Sequence, residues 1–187
     1  MTLTTFPTIE YLSAQLDALY GTESTPRHVL DAVLDVFAEN MRALTVRQSW
    51  AGLIAACETL GDEAKNTENR SWSTKRRGPI LIHSAAKSDG TSAVPAWAEP
   101  LIKRVPERLR ACGRILAVAT LVDCHESRPG CCPSPWAERS AGVCHWRLTD
   151  VRALPEPIPA KGTLGLWKPG PALVGQVLQQ LMEASHA

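Results

Sequence analysis

Arg114-Ile115-Leu116-Ala117-Val118-Ala119-Thr120-Leu121-Val122-Asp123 is the strongest strand signal in the chain. It is rich in β-branched and aliphatic residues and bounded by Gly113 and a polar loop. A second buried strand is expected upstream at Gly78–Ser84 (Gly-Pro-Ile-Leu-Ile-His-Ser). Between them, Pro95, Pro100 and Pro106 forbid one continuous helix over residues 93–110. Downstream, Cys124 to Gly142 reads as a loop and Cys144 to Val151 as a strand. Pro155, Pro157 and Pro159 then predict a polyproline-like connection into a last strand, Thr163 to Trp167.

Upstream of these strands, Arg42 to Val46 alternates as a half-buried strand does. Ser49 is placed to cap a short helix with Trp50, Leu53, Ile54 and Cys57 on its apolar face, ending at Gly61. Lys65 to Ser73 is polar and expected to be extended. Short strands interrupted by one or two helices predict an α+β fold built on a small mixed β-barrel with flanking helices. Residues 1–40 read as a helical N-terminal extension of two helices, with stripes Ile9, Leu12, Leu16, Leu19 and Val29, Leu30, Val33, Leu34, Phe37. Residues 41–168 form the main domain, and 169–187 a C-terminal helix expected to pack on the barrel.

The chain has 187 residues and a formal net charge of +1. That balance excludes a generic nucleic-acid coat, so any such contact must come from a local patch. No apolar run reaches membrane-spanning length, and Met1 to Glu10 lacks a basic start and an apolar core. A cytoplasmic protein with reduced cysteines is expected. No glycine-rich strand-to-helix loop is present, which sets aside nicotinamide and nucleoside-triphosphate chemistry.

The densest polar cluster is Lys65-Asn66-Thr67-Glu68-Asn69-Arg70. In an extended chain Glu68 and Arg70 share a face, and a turn near Gly61 or Asn66 brings Lys65 to the same cleft. Such a group can hold a phosphate or carbonyl by charge, or supply a base if the lysine pKa is lowered. The alternative is a solvated ion pair worth roughly 0–1 kcal/mol. Lys75-Arg76-Arg77 beside Trp72 combines charge for phosphates with an indole for a base, or is an exposed turn. Of six tryptophans, Trp97 and Trp167 are assigned to the core, and Trp72 and Trp136 to a ligand-facing wall.

Cys124-His125, Cys131-Cys132 and Cys144-His145 form three close pairs with no Cys-x-x-Cys knuckle. Reduced thiols and no cofactor are favoured. Zinc on Cys124, His125, Cys131 and Cys132 is the alternative, and of Cys144 and His145 only one can face a given site. A Cys–His nucleophile pair, such as Cys131 or Cys132 with His83 or His125, is not selected by spacing.

Leu44-Thr45-Val46-Arg47-Gln48-Ser49-Trp50-Ala51 resembles the Leu-Ser-Ile-Arg-Gln-Pro-Trp-Ala opening of ASCH-domain proteins. Lys65-x-x-Glu68-x-Arg70 resembles that family's Gly-x-Lys-x-x-Glu-x-Arg motif. Arg77–His83, Ser134-Pro135-Trp136, His145-Trp146 and Lys161–Trp167 are similar to later blocks of bacterial and phage members, in the same order. The resemblance implies a PUA-like β-barrel, a cleft lined by lysine, glutamate and arginine, and binding of RNA or a modified nucleoside. Some members are amidohydrolases on 4-acetylcytidine, using a lysine, a threonine and a distant glutamate. Lys65 matches that lysine, but Glu68 stands in the threonine's place. Ser49 replaces the usual proline, and three residues rather than one separate Gly61 from Lys65.

RNA or nucleotide binding by Lys65, Glu68, Arg70, Trp72, Arg76, Arg77 and Trp136 is therefore the favoured expectation. An acylated-nucleoside amidohydrolase or ribonuclease using Lys65 and Glu68 is the alternative. A protein-interaction role for the N-terminal helices is the third reading.

Overall fold

The computed structural model describes residues 39–88 and 94–185. The helices expected before residue 39 lie outside the described residues. The chain divides into two units, one of which is Arg42–Trp167 and the other the terminal segments. In the second, the expected C-terminal helix runs Pro171–Ser185, with Val174, Val177, Leu178 and Leu181 buried at helical spacing.

The Arg42–Trp167 unit is mixed α+β. Its six strands are β1 (Arg42–Val46), β2 (Thr67–Arg70), β3 (Gly78–Ser84), β4 (Arg114–Glu126), β5 (Cys144–Pro159) and β6 (Leu166–Trp167). They form one sheet in the order β2-β5-β4-β3-β1-β6, curled into a half-barrel. β1 and β3 are parallel, and the other pairs are antiparallel. Register shifts interrupt the β4–β5 ladder at three points and the β3–β4 ladder at one. Each shift bends its strand and adds twist, which is how a long sheet curls.

Two boundaries differ from expectation. β4 continues through Cys124, His125 and Glu126 instead of opening into a loop. β5 runs on through Pro155, Pro157 and Pro159, which the sequence placed in a polyproline connection. β2 pairs with β5 only over Cys144–Arg147, so beyond that point one edge of β5 has no strand partner among the described residues. Ala160 N donates to Gly113 O at 3.0 Å and Ile158 pairs with Ile115, so the backbone N–H groups of residues 158 and 160 face β4. Pro157 and Pro159 alternate with them, so their missing N–H groups fall on the other edge, and Pro155 lies in the register shift between Ala153 and Ile158, where the ladder is already interrupted.

The core lies between the sheet and the helix Gln48–Ala55. Leu44, Val46, Leu53, Ile54, Ile80, Ile82, Leu116 and Trp146 are all buried there. Truncating one of these aliphatic residues to alanine is expected to cost about 2–5 kcal/mol. The helix starts at Arg47, whose extended ψ of 148° ends β1, and not through a Ser49 cap. Gln48 is buried and donates to the carbonyls of Leu109 and Ala111. Its place in the Arg-Gln-Ser-Trp stretch is thus explained by clamping the segment before β4.

Candidate functional site

A cavity of about 550 Å³ opens where β2, the start of the helix Gln48–Ala55 and the loop after β4 meet. Lys65, Glu68 and Arg70 all line it. Three elements deliver them. Gly61, with a positive φ of 56°, ends the helix Cys57–Leu60 and turns the chain back. Lys65 N then donates to Leu53 O at 3.1 Å, which pins the lysine under the helix. Two residues later β2 begins, and Glu68 and Arg70 project on alternate positions.

The three charges form one chain. Lys65 Nζ lies 3.0 Å from Glu68 Oε2, and Arg70 Nη2 lies 3.0 Å from Glu68 Oε1. Lys65 Nζ also donates to the Thr67 carbonyl, and Arg70 Nη2 to the Thr45 carbonyl at 2.6 Å. Lys65 is only 2 % exposed and Glu68 7 %, so this is not the solvated surface pair that was the alternative. Burial pushes the Lys65 ammonium below the usual lysine range, while the Glu68 carboxylate beside it resists the shift. Lys65 Nζ also sits 5.3 Å from the Trp50 ring centroid, within cation–π range.

Indoles form the wall. Trp50, Trp97 and Trp136 line the cavity. Trp97 and Trp136 have centroids 4.5 Å apart, and Trp50 meets Trp136 edge-on at 6.1 Å. Trp97 is 48 % exposed, which corrects its assignment to the core. Two asparagines hold the wall in place. Asn69 Nδ2 donates to Trp136 O at 2.8 Å, and Glu138 N donates to Asn69 Oδ1 at 3.1 Å. Ser134 Oγ donates to Asn66 Oδ1 at 2.6 Å.

Two donors at this site are buried and have no hydrogen-bond partner among the described residues: Trp136 Nε1 and Arg70 Nε. Each such orphan costs roughly 1–3 kcal/mol unless something accepts from it.

The remaining expected site residues are placed elsewhere. Trp72 does not line the cavity; it stacks edge-on against buried Trp146 at 4.5 Å, and its carbonyl accepts from Trp146 Nε1. Arg76 and Arg77 are also outside the lining. Arg77 donates to Asp123 Oδ1 at 3.2 Å and to the carbonyls of Thr74, Arg76 and Cys124. The cationic residue that replaces them at the cavity is Arg47. Trp50, Trp97 and Arg47 were missed as site residues. Trp50 was hidden by its place in an apolar helical pattern, and Trp97 by its proline-rich surroundings.

The Thr45 hydroxyl donates to Thr163 O at 3.0 Å and accepts from Trp167 Nε1 at 3.1 Å. His83 Nδ1 lies 3.2 Å from the same hydroxyl, and His83 Nε2 lies 3.0 Å from Ala160 O. A Cβ on Gly162 would fall 2.6 Å from Thr45 Oγ1, so only glycine fits there. Gly162 and Trp167 of the Lys161–Trp167 block are thus explained by packing against β1.

Of the cysteines, Cys124 accepts from Thr74 N at 3.3 Å and stands apart from Cys131 and Cys132. The side chains that do converge are His125, Cys131, Cys132 and His145. Backbone donation from Arg128 and hydrogen bonds from the histidine rings hold the Cys131 thiol down at about 6.

No protein-family model and no curated protein sequence matches this chain. No described helix is long and apolar enough to cross a membrane.

Proposed function

We propose that this cleft binds a nucleobase, presented by RNA or by a modified nucleoside. The observation that carries the reading is the pairing of three indoles with a buried Lys65–Glu68–Arg70 chain in one cavity. Indole faces stack on a base, and the Glu68 carboxylate and Arg70 guanidinium that line the cavity bring an acceptor and a donor group to its edge. Arg47 at the cavity would meet a phosphate. The likeness of the Leu44–Ala51 and Lys65–Arg70 motifs to ASCH-domain proteins, and of the curled sheet to a PUA-like barrel, supports the same reading.

The test is a binding panel of nucleosides, single-stranded RNA and structured RNA at low and high salt. Binding that weakens about tenfold or more in Arg70→Ala is expected. No binding to any member at low salt contradicts the proposal.

One observation favours a second reading. Burial depresses the Lys65 pKa, which raises the share of neutral amine able to take a proton from an attacking water in acyl hydrolysis. Turnover of 4-acetylcytidine that disappears in Lys65→Met would support it. Equal background rates in the two proteins would end it. Binding is preferred because Lys65 Nζ is already engaged by Thr67 O and Glu68.

A further inference from the structure

Away from the cleft lining, four soft ligand atoms meet between two strands and the loop that joins them. His125 on β4 and His145 on β5 stand directly opposite in the ladder, with ring centroids 5.4 Å apart. Cys131 and Cys132 come from the intervening loop, where Cys131 N donates to Arg128 O at 3.1 Å and closes a turn. One atom from each of the four side chains lies within 4.8 Å of all the others. We propose that His125 Nε2, Cys131 Sγ, Cys132 Sγ and His145 Nδ1 form a closed site for one zinc ion, which fastens the loop carrying the Trp136 wall of the cleft.

The orientation of the two rings supports this. Asp123 Oδ2 lies 2.5 Å from His125 Nδ1, so the other nitrogen, Nε2, points inward, 3.1 Å from Cys132 Sγ. Glu138 O lies 2.8 Å from His145 Nε2, so Nδ1 points inward, 3.4 Å from Cys131 Sγ. A carboxylate and a backbone carbonyl on the outer nitrogens are the partners that metal-binding histidines commonly have, and they fix the tautomer that leaves a lone pair facing the metal. Tetrahedral zinc needs ligand atoms roughly 3.3–3.8 Å apart, so only a small contraction is required. Two sulfurs and two imidazoles select zinc over magnesium or calcium. Four protein ligands leave no position open for substrate, so the site is structural.

On binding, each thiol releases its proton to solvent as its sulfur joins the metal, and no electron is transferred. Adjacent cysteines serve because they lie in a turn, not in a strand. Cys144 is excluded by parity, since it points to the opposite face from His145. The site also touches the cleft through the chain: Glu138 holds His145 by its carbonyl and Asn69 by its amide.

The experiment uses the full chain purified in reducing buffer, with metal content measured by mass spectrometry and the apo protein titrated with cobalt(II). One zinc per chain is expected, with a cobalt spectrum showing tetrahedral ligand-field bands and thiolate charge transfer. Both signals should vanish in Cys131→Ser/Cys132→Ser and persist in Cys112→Ser. Asp123→Asn should weaken the metal about 10–100-fold in competition with a chromophoric chelator. Wild-type protein that takes up neither ion at stoichiometric concentration overturns the proposal. A cobalt spectrum unchanged by the double substitution also overturns it. The wild-type titration decides even if the double variant does not fold.

Discussion

Asn69 Nδ2 donates to the Trp136 carbonyl at 2.8 Å, tying the strand that carries the charges to the loop that carries the indole wall. Its Oδ1 accepts from Glu138 N, so one side chain closes both bonds. Asn69 therefore couples the charges on β2 to the stacking surface of the loop, with the Ser134–Asn66 bond beside it.

Replacing Asn69 with alanine removes both bonds and is expected to cost roughly 1–3 kcal/mol of stability. It should also weaken nucleotide binding more than Asn66→Ala, which frees the Ser134 and Thr67 hydroxyls but leaves the Trp136 carbonyl held. Chemical denaturation and a ligand titration on both variants check this.

Glu68 compensates Lys65 where water does not reach. Glu68→Gln leaves the lysine buried beside a neutral amide and is expected to cost about 3–5 kcal/mol. The double variant Lys65→Met/Glu68→Gln should be more stable than Glu68→Gln alone, because the uncompensated charge is gone. A double-mutant cycle reads the coupling, and strict additivity would show that the two do not interact.

Burial lowers the His83 pKa from the ordinary value of 6.5, so the fold prefers the neutral ring. The unfolded chain then takes up the proton more readily as pH falls. The contribution of His83 to stability is full above about pH 6.5 and is lost on acidification toward the folded pKa. Denaturation midpoints at about pH 7.5 and about pH 5.5 should differ less in His83→Gln than in the wild type.

Gly162→Ala forces a methyl group against the His83 ring and Thr45 Oγ1. A loss of about 1–3 kcal/mol is expected, read from the denaturation midpoint. Gly170→Ala, which meets no atom within 4 Å, serves as the control.

Much of this fold was legible because β3 and β4 are rich in aliphatic and β-branched residues with turns at both ends. Lys65, Glu68 and Arg70 were legible because polar residues at strand spacing share a face. The proline stretch of β5 was misread because its missing N–H groups matter only on a paired edge, and pairing is a property of the whole sheet. Trp72 and Trp97 exchanged roles for a similar reason. Sequence shows how polar a neighbourhood is along the chain, not which distant residue, here Trp146, fills it. His145 entered the cysteine cluster from a strand neighbour 20 positions from His125, a relation that only the β4–β5 register supplies.

Everything rests on a base entering the indole-walled cleft and stacking against Trp97, the indole of that wall that is 48 % exposed. Two indole N–H groups make this directly measurable by ¹⁵N-resolved NMR: that of Trp97, which lines the cavity, and that of Trp146, which lies outside the lining and donates to Trp72 O at 3.1 Å. On titration with a nucleoside monophosphate, the Trp97 signal should shift and saturate while that of Trp146 stays in place. An unmoved Trp97 signal across the panel of nucleotides and short RNAs would contradict the account.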